Sequence, residues 1–308
     1  MTELRAEPLS PIDAATLWPQ LHKLSTEVVA TRTGERLLLA AGLAATGLDR
    51  LPRLPRTLVA AVRRGLAYRG IIVARALAGG RAWEIVSLRL EREVDDEAII
   101  ALVDAASADA ARRGGLQLLV RLPDGSPHRE AVRRAGLTTY LREELYAPPP
   151  KTGSGHLPPV VRPVSRADRA GVFRLYSRAV PEWVRRTEAP TAADWRAVLD
   201  SYDCDEQYAA RCDDRVAVWV GIGEREARAL IDPNGGPQLR ELAIDTVLAR
   251  LGRHGVLVVP EFAPELAEAA MLRGFVPLGC REAAARRLAR LEPLKEAVPI
   301  PASAMVPR

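Results

Sequence analysis

Asn234, Gly235 and Gly236 stand in a row in LIDPNGGPQLREL (230–242), just ahead of a stretch with helical patterning that opens with Pro237 and Gln238. The backbone N–H groups of such a loop, with an open helix N-terminus behind them, can face an anion, and glycine lets a phosphate come close. The same residues also make an ordinary Asn-Gly-Gly turn with proline at the first helical position. Pro237 removes one donor amide, and Asp232 adds a negative charge. A second chemically capable stretch is PEWVRRTEAP (181–190), where Trp183, Arg185 and Arg186 offer a ring and two cations to an acidic or aromatic group. A packed loop is the competing reading of that stretch.

Other chemistries find no support. His22, His128, His156 and His254 are dispersed without metal-ligand spacing, so no metal is expected. Cys204, Cys212 and Cys280 have neither zinc nor redox spacing, and an odd count fits a reduced, cytoplasmic setting. No nucleophile-elbow or Walker pattern is present. The net charge is +5, carried almost wholly by arginines scattered among acids, and no nucleic-acid recognition motif accompanies it. Nucleic acid is therefore not the expected partner. No run of 18 apolar residues occurs, so no membrane span is expected.

The elements that must position these residues come in two matching series. A chain of 308 residues suggests two domains. APPPKTGSGHLPP (147–159) has linker composition and separates residues 1–147 from residues 160–297, with 148–159 as linker and 298–308 as a tail. The first part reads as a short strand, a helical region from Asp13 to about Ala45, and a three-strand meander over 57–90. Then follow a helix over 95–114, a strand over 116–122, a helix over 126–136 and a strand over 137–147. The second part repeats this order: a strand at 160–164, helices, a meander, a helix over 237–252, a strand, a helix over 263–274 and a strand. An extra helix is expected over REAAARRLARL (281–291). The closing units LLVRLPDGSPHREAVRRAGL (118–137) and VLVVPEFAPELAEAAMLRGF (256–275) are near copies, each ending in glycine and a large apolar residue. That ending is what a helix C-terminus requires structurally.

This order, with Gly136-Leu137 and Gly274-Phe275 at its ends, resembles the GNAT superfamily of acyl-CoA-dependent N-acyltransferases. The resemblance covers essentially the whole chain as two tandem GNAT-like domains. It implies an α+β fold in which each domain is a mixed, mostly antiparallel sheet flanked by helices. It also implies an acetyl-CoA or other acyl-CoA site between the third meander strand and the long helix, and an amine of a small molecule or protein as acceptor. The family's Arg/Gln-x-x-Gly-x-Gly/Ala pattern is missing from both turns. In the first half the turn LEREVDDEAI (90–99) has no glycine and is acidic, so conventional CoA binding is not expected there. In the second half the resemblance points to Asn234, Gly235, Gly236 and Gln238 for the cofactor. It points to Glu226 or Glu261 as general base, to Tyr208 lining the cleft, and to Trp183, Arg185 and Arg186 for the acceptor. Glu84 occupies the matching strand of the first half, where an outward-facing edge charge is the expected role. Two functional readings stay open: an N-acyltransferase, or a catalytically inactive GNAT-fold module that binds a ligand or a protein.

Overall fold

Period-two alternation explains the first sheet. In β3 (Thr57–Arg64), Leu58, Ala60 and Val62 face one side and Val59 and Ala61 the other, yet all five are buried. Two covers account for this. Leu58, Ala60 and Val62 pack with Ile99, Leu102, Val103 and Ala106 of helix α1 (Asp96–Arg112), while Val59 and Ala61 meet Leu17, Leu24 and Tyr68. Each of the buried valine, leucine and isoleucine side chains among them contributes about 2 kcal/mol against leaving it in water. A computed structural model describes residues 6–9, 13, 17, 20, 24, 26–30 (backbone only), 56–65, 67–91, 96–150 and 155–288.

The remaining strands of the first half are β1 (Ala6–Pro8), β2 (Thr26–Ala30), β4 (Ala67–Ala76), β5 (Ala82–Leu90), β6 (Gln117–Pro123) and β7 (Thr138–Ala147); helix α2 (Arg129–Arg134) precedes β7. The second half has β8 (Arg162–Pro163), helices α3 (Arg169–Ala179), α4 (Glu182–Glu188) and α5 (Ala192–Ser201), and strands β9 (Cys204–Cys212), β10 (Arg215–Gly223) and β11 (Glu226–Ile231). It ends with α6 (Pro237–Arg250), β12 (Val256–Pro260), α7 (Pro264–Leu272) and β13 (Val276–Arg287).

All strands join one sheet in the order β1-β3-β4-β5-β6-β13-β7-β12-β11-β10-β9-β8, with β2 paired separately to β5. The two halves have exchanged their last strands. β13 pairs antiparallel with β6 of the first half, and β7 pairs antiparallel with β12 of the second. β7 and β13 also pair with each other, Glu282 opposite Arg142. The seam is thus a hydrogen-bonded ladder, not a surface contact between separate sheets.

Three expectations are corrected. Residues 281–287 are strand, not helix: the alanines of REAAARR favour helix locally, but β13 has a partner strand on both edges, and tertiary pairing overrides propensity. Residues 26–30 of the expected first helical region form β2, and 31–55 lie outside the described residues. The stretch expected as a loop at 181–190 carries helix α4.

The parallel strand pairs open into wedges. β5 meets β6 only through Ala82, Trp83 and Glu84; farther along, the edge of β5 from Ser87 to Leu90 is taken by β2. β11 meets β12 only at Glu226↔Val256 and Ala227↔Leu257, and then the two diverge. Among the described residues no second strand fills this wedge. Its floor on the helix side is an aromatic cluster, Tyr176, Trp195 and Trp219, with ring centroids 4.4 and 5.7 Å apart in succession.

Candidate functional site

Side chains from both halves meet under the second wedge. Glu143 of β7 is fully buried and accepts hydrogen bonds from Arg228 Nη1 and Arg281 Nε, each at 2.6 Å. Arg121 Nε adds an ion pair at 3.4 Å. Burial opposes the charge on Glu143, but Arg228, Arg281 and Arg121 outweigh it and hold the carboxyl well below the ordinary range. Arg121 also donates to Glu84 at 2.7 Å, and Arg75 links Glu84 to Asp200 at 3.2 and 2.9 Å. Glu84 is therefore not an outward-facing edge charge: it is 2% exposed, locked between two guanidinium groups and Ser201.

Glu188, the last residue of α4, differs from these. It is buried, but its carboxyl oxygens accept only hydroxyl protons, from Tyr140 and from Tyr202, both at 3.0 Å. Burial pushes its carboxyl above the ordinary range, with Arg121 pulling the other way. The Arg228 guanidinium lies 3.9 Å from the centre of the Tyr202 ring, so a cation–π contact fixes that tyrosine from its face. Burial and Glu188 together hold the Tyr202 hydroxyl well above its usual range.

Glu188 borders three cavities. One, of about 20 Å³, lies in the wedge with Tyr202, Arg228, Trp195, Trp219 and Phe262 on its walls. A second, of about 10 Å³, touches Tyr140, Arg121 and Ser201. The third, of about 350 Å³, is the open cleft between the halves, lined by Arg81, Arg186, Arg196 and Arg287 among others. A separate cavity of about 690 Å³ lies beside the start of β9.

The residues singled out from sequence do not converge. Glu226 sits at the closed end of the wedge, where Arg281 grips it through two bonds of 2.6 and 2.8 Å. Burial resists this charge, yet Arg281 and Arg228 override it and hold the carboxyl at about 2. Glu261 is exposed just beyond β12, its carboxylate accepting from the Arg142 backbone N–H at 3.2 Å. Tyr208 lines the 690 Å³ cavity, its hydroxyl donating to Glu206 at 2.5 Å. On α4, Trp183 is 60% exposed, Arg185 caps α3 through the Val180 carbonyl at 3.0 Å, and Arg186 pairs with Glu182 at 2.6 Å.

Asn234, Gly235 and Gly236 link β11 to α6, at the open end of the wedge. The loop is drawn tight: the Asp232 carbonyl accepts from Gly235 N–H at 2.8 Å and its carboxylate from Asn234 N–H at 3.2 Å. A Cβ on Gly235 would stand 2.3 Å from Leu239 Cδ1 and 3.0 Å from the Asp232 carbonyl oxygen, so a side chain there would force Leu239 to move. Gly236 caps α6, Pro237 follows at its first position, and Gln238 is exposed. Arg178 neutralises Asp232 at 2.8 Å, so the Gly236 and Gln238 N–H groups at the helix start do not face an unanswered charge. In the first half, Glu91 pairs with Arg69, Asp96 with His128 and Glu97 with Arg134, so these acids answer local bases. Glu93 and Asp95 lie outside the described residues.

Glu188, Tyr140 and Tyr202 escaped the sequence reading. Nothing local marks them: Glu188 and Tyr140 are 48 positions apart, and an acid after Arg-Arg-Thr reads as surface. Among the described residues no cluster of His, Cys, Asp and Glu could hold a metal ion, and no helix is long and apolar enough to cross a membrane.

No protein-family model and no curated protein matches this sequence. Solved structures do match. A tandem GNAT protein from the clavulanic acid biosynthesis pathway is 15% identical, with 92% of this chain and 98% of that one covered at a TM-score of 0.51. A GCN5-related N-acetyltransferase from Sphaerobacter thermophilus is 11% identical, with 93% and 96% covered at a TM-score of 0.53. Identities this low speak for architecture alone. The element order, the two wedges and these likenesses along nearly the whole chain agree: this protein has the tandem GNAT fold.

Proposed function

We propose that the chain is an acyl-CoA-dependent N-acyltransferase whose working half is the second, acting on an amine of a small molecule or protein. The observation that carries this reading is Glu188, a buried carboxyl with a raised pKa at the wall of the wedge that no strand among the described residues fills. A base poised nearer neutrality suits removal of the proton that an acceptor ammonium must lose before its nitrogen can act as a nucleophile. Tyr140 and Tyr202 orient the carboxyl from two sides. Glu226 is ill suited, since a carboxylate held at about 2 is a feeble base. Glu261 lies exposed beyond β12 and Tyr208 lines a separate cavity, so neither borders the wedge cavity.

Acetyl-CoA or another acyl-CoA would supply the activated acyl group. The α6 N-terminus with Asn234, Gly235, Gly236 and Gln238 is where its phosphates would be held, and the residues present fit modestly: two helix-start amides and an aspartate already neutralised by Arg178. The first half would act as scaffold, because β2 occupies its wedge. The three free cysteines fit a reducing, cytoplasmic compartment.

A second reading has its own support. The wedge cavity holds only about 20 Å³, close to a single water, which suits a GNAT-fold module that binds without acyl transfer. Calorimetric titration with acetyl-CoA, followed by thiol release with a panel of amines, separates the two. No heat at millimolar acetyl-CoA would overturn the acyltransferase reading.

A further inference from the structure

We propose that the cleft between the halves binds a phosphate monoester, and that its ligand is an amine carrying that phosphate at its far end. The second part rests on the acyltransferase reading; the first does not.

The cleft is built by both halves. Strand exchange lays Arg287 of β13 opposite Gln117 of β6, and Gln117 in turn stands opposite Ala82 of β5, so one row across three strands forms a wall. Helices α4 and α5 bring Arg186 and Arg196 to the other wall, and the β4–β5 turn adds Arg81. Four guanidinium groups thus border about 350 Å³.

Their charges are not balanced. Arg186 is answered by Glu182 at 2.6 Å, and Arg81 by Asp194 at 3.6 Å. Asp194 is itself tied to the Thr191 hydroxyl at the start of α5, at 2.6 Å. Arg196 and Arg287 have no acidic partner among the described residues, and both are exposed. Glu188, on the inner wall, is engaged by the Tyr140 and Tyr202 hydroxyls and pairs with neither of these arginines. Two unanswered cations match the charge of a phosphate monoester near neutral pH, about −1.5 to −2, where a carboxylate would leave one unanswered. Guanidinium forks suit phosphate oxygens in geometry as well.

The rest of the lining sets the body of the ligand. Ala82, Leu116, Pro190, Ala193 and Ala197 add a small apolar surface to the lining that the arginines share with Glu188. Because Glu188 shares this lining, a ligand with its phosphate on the arginines has its other end within the same cleft as the proposed base.

O-phosphoethanolamine is the probe, with ethanolamine as control, each titrated calorimetrically into the full chain. Phosphoethanolamine should bind saturably, and ethanolamine at least roughly ten-fold more weakly, since charged hydrogen bonds are lost. Arg196→Ala and Arg287→Ala should each weaken phosphoethanolamine roughly ten-fold or more, while thermal unfolding and acetyl-CoA binding stay unchanged. Equal binding of the two probes would overturn the site. So would arginine variants that weaken acetyl-CoA and not the probe, because the phosphates held there would then be the nucleotide's. Arginine-dependent binding without thiol release from acetyl-CoA would keep the site and remove the acyltransferase reading. Thiol release with other amines, indifferent to both arginine variants, would keep that reading and remove the site.

Discussion

Tyr140 of the first half donates a hydrogen bond to Glu188 of the second, 3.0 Å away across the seam between them. The contact exists because β7, which carries Tyr140, has left its own half and lies beside β12. The strand exchange thus places a first-half hydroxyl on the group proposed as base in the second half. It also explains why neither half alone would present this site.

Glu188→Gln isolates the role of that carboxyl. Glutamine keeps the size, accepts from one tyrosine through its carbonyl oxygen and turns its NH2 group to the other's hydroxyl oxygen, so acetyl-CoA affinity should persist while acyl transfer falls about 10²–10⁴-fold, the usual weight of a general base. The pH dependence has a definite sign. A folded-state carboxyl raised above its unfolded value favours folding fully below the unfolded pKa, and that contribution is lost as pH rises through the folded pKa. The variant should therefore gain stability relative to wild type as pH climbs through this window, read by urea unfolding at several pH values.

Glu143→Ala should destabilise the whole chain. It strips the shared partner from Arg228, Arg281 and Arg121, leaving three guanidinium groups with only Glu226 and Glu84 to answer them. Breaking such a buried arrangement costs about 3–5 kcal/mol. In the wild type the carboxyl is depressed, so its contribution is present above the ordinary carboxylate pKa and is lost as pH falls through the lower folded value. Acid unfolding followed by circular dichroism should begin at higher pH in the variant.

Ala284→Pro tests the exchanged strand. Ala284 is buried, with Val120 of β6 on one side and Thr139 of β7 on the other. Proline in a central strand removes a ladder hydrogen bond and is strongly disfavoured; a penalty of about 3 kcal/mol or more is expected. Hydrogen exchange should show both halves losing protection together. Loss confined to the second half would contradict a shared sheet.

Gly235→Asp tests the cofactor loop. Its Cβ would collide with Leu239 Cδ1, and its charge would stand where phosphates are expected. Acetyl-CoA binding should vanish in calorimetry, whereas Glu97→Ala, at the first-half turn, should leave it intact. The reverse pattern would place the cofactor in the first half.

Much of the fold was legible in sequence because its signals are local. The meander over 57–90 shows in β-rich runs and glycine turns, and Gly136 and Gly274 mark helix ends where φ values of 81° and 85° suit glycine. Residues 281–287 were misread because their helix propensity is also local, while the strand they form depends on partners more than a hundred positions away. The site was barely legible. Glu226 is marked in sequence by its place on β11, and only the fold shows that Arg281 pairs with it.

The sequence by itself determined most of the order of elements, many of the turns and the failure of both loops to carry the expected glycine pattern, since each follows from neighbours within a few residues. Only the tertiary structure decided which edges β7 and β13 occupy, and hence that Glu188 meets Tyr140 and that Arg287 faces the cleft. The reason is physical: every strand edge offers the same N–H and C=O groups, so the choice of partner rests on side chains packed from both halves at once.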